Sequence, residues 1–242
     1  ALAFGGKAVV ANINDVKING GCLGCCQCGP DYRCVYGSGD GFIDFYNATI
    51  RPADIIVYAG SIVDRYLSSG WKRVFDRSFF NTHTPTMVGK QIGFLVSGPL
   101  RQIPNLREIM QAYVEWQHAN LVDIVTDEYD SANELDRLID GFAGKLVSAS
   151  QRGFVAPATF LGVGGMKIFR DDIWGRLRFV FQADHRFYQK HGFYDFPQKD
   201  KKVMAMNRAM IAAMKNPDAR EQIRKMFKTE MVKPHKHIVE TK

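Results

Sequence analysis

The sequence predicts an α/β protein with a doubly wound, mostly parallel sheet, and three observations carry that prediction. Short apolar runs that suit buried strands recur at residues 54–58, 91–96 and 121–125. Stretches of about a dozen residues or more with helical spacing separate and follow them. Parallel neighbours need crossover helices, so this alternation puts helices on both faces of the sheet. At 242 residues, 46% of them hydrophobic, the chain can fill one large core and still carry an extension.

Taken in order, residues 8–18 (AVVANINDVKI) alternate and are β-branched, so they read as a strand leading into a cysteine loop. Residues 40–51 read as helical. The run at 54–58 ends at Ala59-Gly60-Ser61, as a buried strand would. Residues 68–80 have helical spacing, with Trp71, Val74, Phe75 and Ser78 along one side. Residues 91–96 form the next strand, stopped by Ser97-Gly98-Pro99. A helix follows over about 104–118, where Pro104 suits a first turn. After the strand at 121–125, residues 131–150 form a long amphipathic helix, with Ser131 as N-cap and Glu134 three residues on.

The composition changes past residue 152, which sets the expected boundary between a domain at 1–152 and an extension at 153–242. The extension is rich in aromatics and places Met204, Met206, Met210 and Met214 at helical spacing. Such stripes read as core or subunit interface. Asn216-Pro217-Asp218 breaks that helix before a last one at about 218–231. Asp171-Asp172 reads as the acidic first turn of a helix. Residues 158–167 look like a strand with a glycine turn at 162–165.

Several function classes lose support at this stage. No apolar run approaches the length needed to cross a bilayer, and the first residues lack a secretory leader, so a cytoplasmic location is expected. The net charge of +7 gathers at the C-terminal end, with Lys225, Lys228, Lys233, Lys236 and Lys242. That tail is not interleaved with aromatics, so it reads as solvated, or as facing an acidic protein partner, and not as a nucleic-acid interface. The six histidines are scattered and no Ser-His-Asp or paired-carboxylate arrangement emerges, so hydrolysis has no support and no catalytic residue is assigned.

The cysteines carry the chemistry. All five lie between positions 22 and 34, an odd number in one short segment, which argues against a disulfide framework. Cys22, Cys25, Cys28 and Cys34 follow the spacing C-x2-C-x2-C-x5-C, and Gly20, Gly21, Gly24 and Gly29 give the loop room to turn. One compact run of four thiolates suits a [4Fe–4S] cluster. A closed zinc site and redox-active thiols are the alternatives. Cys26 reads as a bystander.

The segment Lys17 to Cys34, KINGGCLGCCQCGPDYRC, resembles the iron–sulfur flavoproteins of the flavodoxin-like NAD(P)H-dependent FMN reductase superfamily. Lys72 and Asp76-Arg77 match a further family element after the loop. The likeness spans about residues 8–150. It implies FMN at the carboxyl ends of the strands, held by Gly60, Ser61, Ile62 and Val63 and by Ser97, Gly98, Pro99 and Leu100. It also implies that a first strand and phosphate loop precede residue 8, outside these 242 residues, or that residues 158–167 supply that strand and turn.

The function so implied is an oxidoreductase that passes electrons between FMN and a [4Fe–4S] cluster, with NAD(P)H as a donor. A redox partner protein and a homo-oligomer or larger complex are expected with it. The alternative is a non-catalytic subunit with a structural zinc or iron–sulfur site and no flavin. The family's aromatic at the first flavin loop has no counterpart here before Tyr66, which is a feature in its favour.

Overall fold

The computed structural model describes residues 4–5, 8–195 and 199–240. It is an α/β protein with an open four-stranded sheet in the order β2-β1-β3-β4. Strand β1 is Ile55–Val63, β2 Tyr66–Leu67, β3 Gln91–Ser97 and β4 Asn120–Thr126. Strands β1, β3 and β4 are parallel, and β2 turns back antiparallel on the end of β1. The helices are α1 (Phe42–Phe45, continuing as one π-helical turn), α2 (Ser69–Ser78), α3 (Pro104–Trp116), α4 (Ala132–Arg152), α5 (Phe160–Trp174), α6 (Gln182–Lys190), α7 (Lys201–Ala213) and α8 (Pro217–Glu240).

Both faces of the sheet are covered, as the sequence predicts. On one face Tyr58 and Phe94 stack at 5.6 Å and meet Trp71 and Phe75 of α2, and Tyr58 also meets Tyr113 of α3. On the other, Phe142 and Leu146 of α4 pack with Val125, Leu95 and Ile55. Apolar side chains at alternate strand positions therefore feed two separate layers.

The chain divides into two compact units. One holds residues 1–21, 36–79 and 84–167, and includes the whole sheet. The other holds residues 22–35, 80–83 and 168–242. The cysteine loop thus belongs with the C-terminal helices, which differs from the expected boundary at 152. The physical reason lies in the loop's backbone partners, described below.

Three local expectations are corrected. Residues 8–18 form no strand; apart from a 3-10 turn at Ile13–Asp15 they are irregular, with Val9 79% and Val10 93% exposed. A strand needs a neighbouring strand for its backbone groups, and among the described residues no strand pairs with this stretch, although Gly41 N donates to Lys17 O. Nor does any described strand flank β1 along residues 55–60 on the edge away from β3. Residues 158–167 do not supply one, because Phe160 opens helix α5. The Glu115 carboxylate accepts from Thr159 N, Thr159 Oγ1 and Gly162 N, so it satisfies the start of that helix, and the Gly162 amide faces a carboxylate where a phosphate was expected. Finally, Asp171 and Asp172 fall in the last turn of α5, not the first.

Candidate metal centre and cofactor crevice

The cysteine loop is anchored at both stems within the sheet-bearing unit. Arg77, from the end of α2, donates Nη1 to Asp40 Oδ2 at 2.5 Å and Nη2 to Asp40 Oδ1 at 3.0 Å. The same Nη1 reaches the Gly20 carbonyl, and the guanidinium lies 4.1 Å over the Tyr36 ring. Asp40 also accepts from Asn19 N and Phe42 N, while Tyr36 Oη donates to the Gly21 carbonyl. One buried ion pair thus gathers residues 19–21 before the loop and 36–42 after it. The guanidinium holds the Asp40 carboxyl at about 2, below the ordinary carboxylate range.

The loop itself is tied to the helices of the second unit. Gly29 N donates to Cys26 O, and both Asp31 N and Tyr32 N donate to Cys28 O, which makes two successive turns. From α6, Ala183 N donates to Gly29 O at 3.0 Å and Arg186 Nη2 to Pro30 O at 2.6 Å. From α8, Arg224 Nε donates to Cys25 O at 3.3 Å. A Cβ on Gly29 would stand 2.1 Å from the Val180 carbonyl oxygen, so backbone meets backbone there and only glycine fits. Behind this contact Asp184 is fully buried; it accepts from Thr82 Oγ1 and His83 N, and faces His83 Nδ1 at 2.9 Å. No sequence spacing flags that pair, which is 101 residues apart.

Cys22 is exposed, Cys25, Cys26 and Cys34 are half-buried, and Cys28 is buried. Gly24 N points at Cys22 Sγ at 3.5 Å, and Cys26 takes a left-handed backbone with φ 55°. Burial pushes the Cys28 thiol up to about 12, and neighbouring Cys22, Cys26, Cys34 and Cys25 add to that rise. Burial likewise raises Cys26 to about 11. Among the described residues, no three His, Cys, Asp or Glu side chains stand at metal-binding spacing. What speaks for a metal is the donor chemistry alone: four thiols in one short loop are soft ligands of the kind that zinc or an iron–sulfur cluster takes. A cavity of about 350 Å³ adjoins the loop, lined by Cys25, Cys26, Val180, Met214, Arg220 and Arg224 among others.

The two predicted flavin segments do come together at the carboxyl ends of the strands, but their residues differ in availability. Gly60, Ser61, Ile62 and Val63 are strand residues, not loop, because β1 continues through a two-residue turn at Asp64-Arg65 into β2. A Cβ on Gly60 would overlap the Trp71 indole at 1.7 Å, so Gly60 serves helix packing. Ser61 is exposed. Gly98, with φ 117°, lies against Ile62, a Cβ there meeting the Ile62 Cβ at 3.1 Å. Ser97 and Pro99 are exposed, whereas Leu100 is 2% exposed and belongs to the core.

Asp127, at the end of β4, was missing from the predicted set and governs this crevice. It accepts from Ser97 Oγ at 2.6 Å and Gly98 N at 2.8 Å, and these two donors hold its carboxyl below the ordinary value. A carboxylate that already takes both donors of this turn disfavours a phosphate there. The acidic run Asp127-Glu128 was visible in sequence, but its partners 27 to 30 residues away were not.

No protein-family model matches the chain, and no curated protein matches it. Among the described residues, no helix is long and apolar enough to cross a membrane.

Proposed function

We propose that the protein is an iron–sulfur flavoprotein oxidoreductase, with Cys22, Cys25, Cys28 and Cys34 as ligands of a [4Fe–4S] cluster and FMN at the carboxyl ends of β1 and β3. The observation that carries the reading is one short loop bearing four cysteines in compact spacing, fixed by donors to its carbonyls at Cys25, Gly29 and Pro30. When bound, FMN supplies the exchange between two-electron and one-electron chemistry, and the cluster supplies single-electron transfer.

This chain's residues contribute position and charge. The Arg77–Asp40 pair fixes the loop stems, and Gly29 lets the loop sit against Val180. Ser61, Ser97 and the Gly98 backbone would face the flavin ring. NAD(P)H is the proposed electron donor to the flavin, on the family resemblance alone. The second unit carries 18 Lys and Arg against 10 Asp and Glu, whereas the first carries 14 against 15. That excess beside the cysteine loop favours an acidic redox partner, since complementary charge steers association.

The second reading, a subunit with a structural zinc or iron–sulfur site and no flavin, has its own observations. Gly60 packs under Trp71, Leu100 is core, and Ser97 and Gly98 already serve Asp127. A visible spectrum of the anaerobically purified chain, with iron, zinc and flavin analysis, separates the two. Iron with flavin bands supports the first reading, and metal without flavin supports the second.

A further inference from the structure

Arg224 of α8 bonds the cysteine loop at the carbonyl of a proposed ligand, Cys25. Its Nε donates to the Cys25 carbonyl, and its Nη1 pairs with Glu221 Oε2 at 3.0 Å, one helical turn earlier on α8. The Arg224 side chain is 28% exposed, against 51% for Glu221, so its charge lies partly out of water. Both residues line the cavity that Cys25 and Cys26 also line. The other guanidinium on the loop carbonyls, Arg186, reaches Pro30, at the opposite side of Cys28. Arg33 pairs with Asp31 inside the loop and is 83% exposed, where water screens its charge.

A metal centre ligated by thiolates carries net negative charge, and outer partners tune it through hydrogen bonds and fixed charge. Each added electron makes the centre more negative, so a nearby cation favours the reduced form and a nearby carboxylate opposes it. We propose that Arg224 is a positioning residue for the metal centre, which holds the Cys25 side of the loop by its carbonyl and raises the centre's reduction potential, with Glu221 setting how much of that charge is felt. The potential half of this proposal rests on the reading of the loop as a cluster site. The clamp half does not.

The test uses the full chain in two states. In the iron-reconstituted protein, Arg224→Gln should shift the midpoint potential negative at unchanged iron content, and Arg224→Lys should restore much of it. Glu221→Gln, at an exposed position that should not disturb folding, should shift it positive. In metal-free protein, Arg224→Gln should speed amide hydrogen exchange of residues 22–35 severalfold, with helix α6 of the same unit unchanged as the internal control.

Opposite shifts for the two glutamine variants, with the local rise in exchange, support the proposal. Potentials that do not move, or that move the same way, overturn the charge role. Unchanged exchange in the loop overturns the clamp. If reconstituted wild-type chain binds no iron, the proposed function fails, and the exchange measurement still decides the clamp. If Arg224→Gln accelerates exchange in α6 as well, the fold of its unit is lost, and the sign of the Glu221→Gln shift decides the charge role.

Discussion

Arg77 and Asp40 meet end to end through two hydrogen bonds, with side-chain exposures of 1% and 0%, and the pair joins segments 37 residues apart. Removing one partner of a buried pair leaves the other uncompensated, which costs about 3–5 kcal/mol. Arg77→Met should therefore lower the unfolding free energy from urea titration by about 3–5 kcal/mol. Arg77→Lys should recover part of the loss, since a lysine keeps the charge and loses the two-pronged geometry. A variant within 1 kcal/mol of wild type by the same measurement would remove this pair from its role as anchor.

Acid should reveal the same pair. Asp40 is held at about 2 in the folded chain, below the ordinary carboxylate value. A depressed carboxyl contributes stability that is complete above its unfolded value near 4 and is lost as pH falls toward 2, about 2 kcal/mol in all. Urea midpoints measured at steps from pH 6 to pH 2 should show a fall confined to the lower half of that range. Asp40→Asn should be less stable at pH 6, and its midpoint should change less over the same steps.

Gly29→Ala tests the contact between the loop and the residues that lead into α6. The added methyl would face a backbone oxygen at 2.1 Å, which no rotamer change can relieve. Overpacking of this kind costs about 1–3 kcal/mol. Thermal denaturation should show the loss, and anaerobic reconstitution should show reduced iron uptake. Gly24→Ala is the comparison: a Cβ there meets nothing within 4 Å, although its φ of 59° still disfavours alanine. The iron deficit should be larger for Gly29→Ala.

The ligand assignment separates four cysteines from the fifth. Alanine at Cys22, Cys25, Cys28 or Cys34 should sharply lower the iron-to-protein ratio, because a ligand must be a thiolate in fixed geometry. Cys26→Ala should leave the ratio near wild type, since Cys26 stands outside the C-x2-C-x2-C spacing and its thiol points at the Gly24 carbonyl. Iron analysis after reconstitution reads both, and an unchanged ratio in Cys28→Ala would falsify the assignment.

The sequence by itself determined the elements whose burial pattern is local. Residues 91–97 and 120–126 are strands, and 104–116 and 132–152 helices, within a few residues of their predicted limits, because apolar periodicity writes the core-facing side directly into the chain. It also determined the cysteine set, whose spacing within 13 residues is a property of the chain alone. Tertiary structure decided what depends on a distant partner. Residues 8–18 have a strand's alternation but no partner strand among the described residues, and so no ladder. Residues 160–174 have a strand-like start but meet Glu115, whose carboxylate satisfies the first amides of a helix. The loop's attachment to Ala183, Arg186 and Arg224, and the filling of the Ser97–Gly98 turn by Asp127, join groups from 29 to 199 residues apart. Hydrogen bonds and ion pairs of that reach have no period in sequence; they exist only once packing has brought donor and acceptor within about 3 Å.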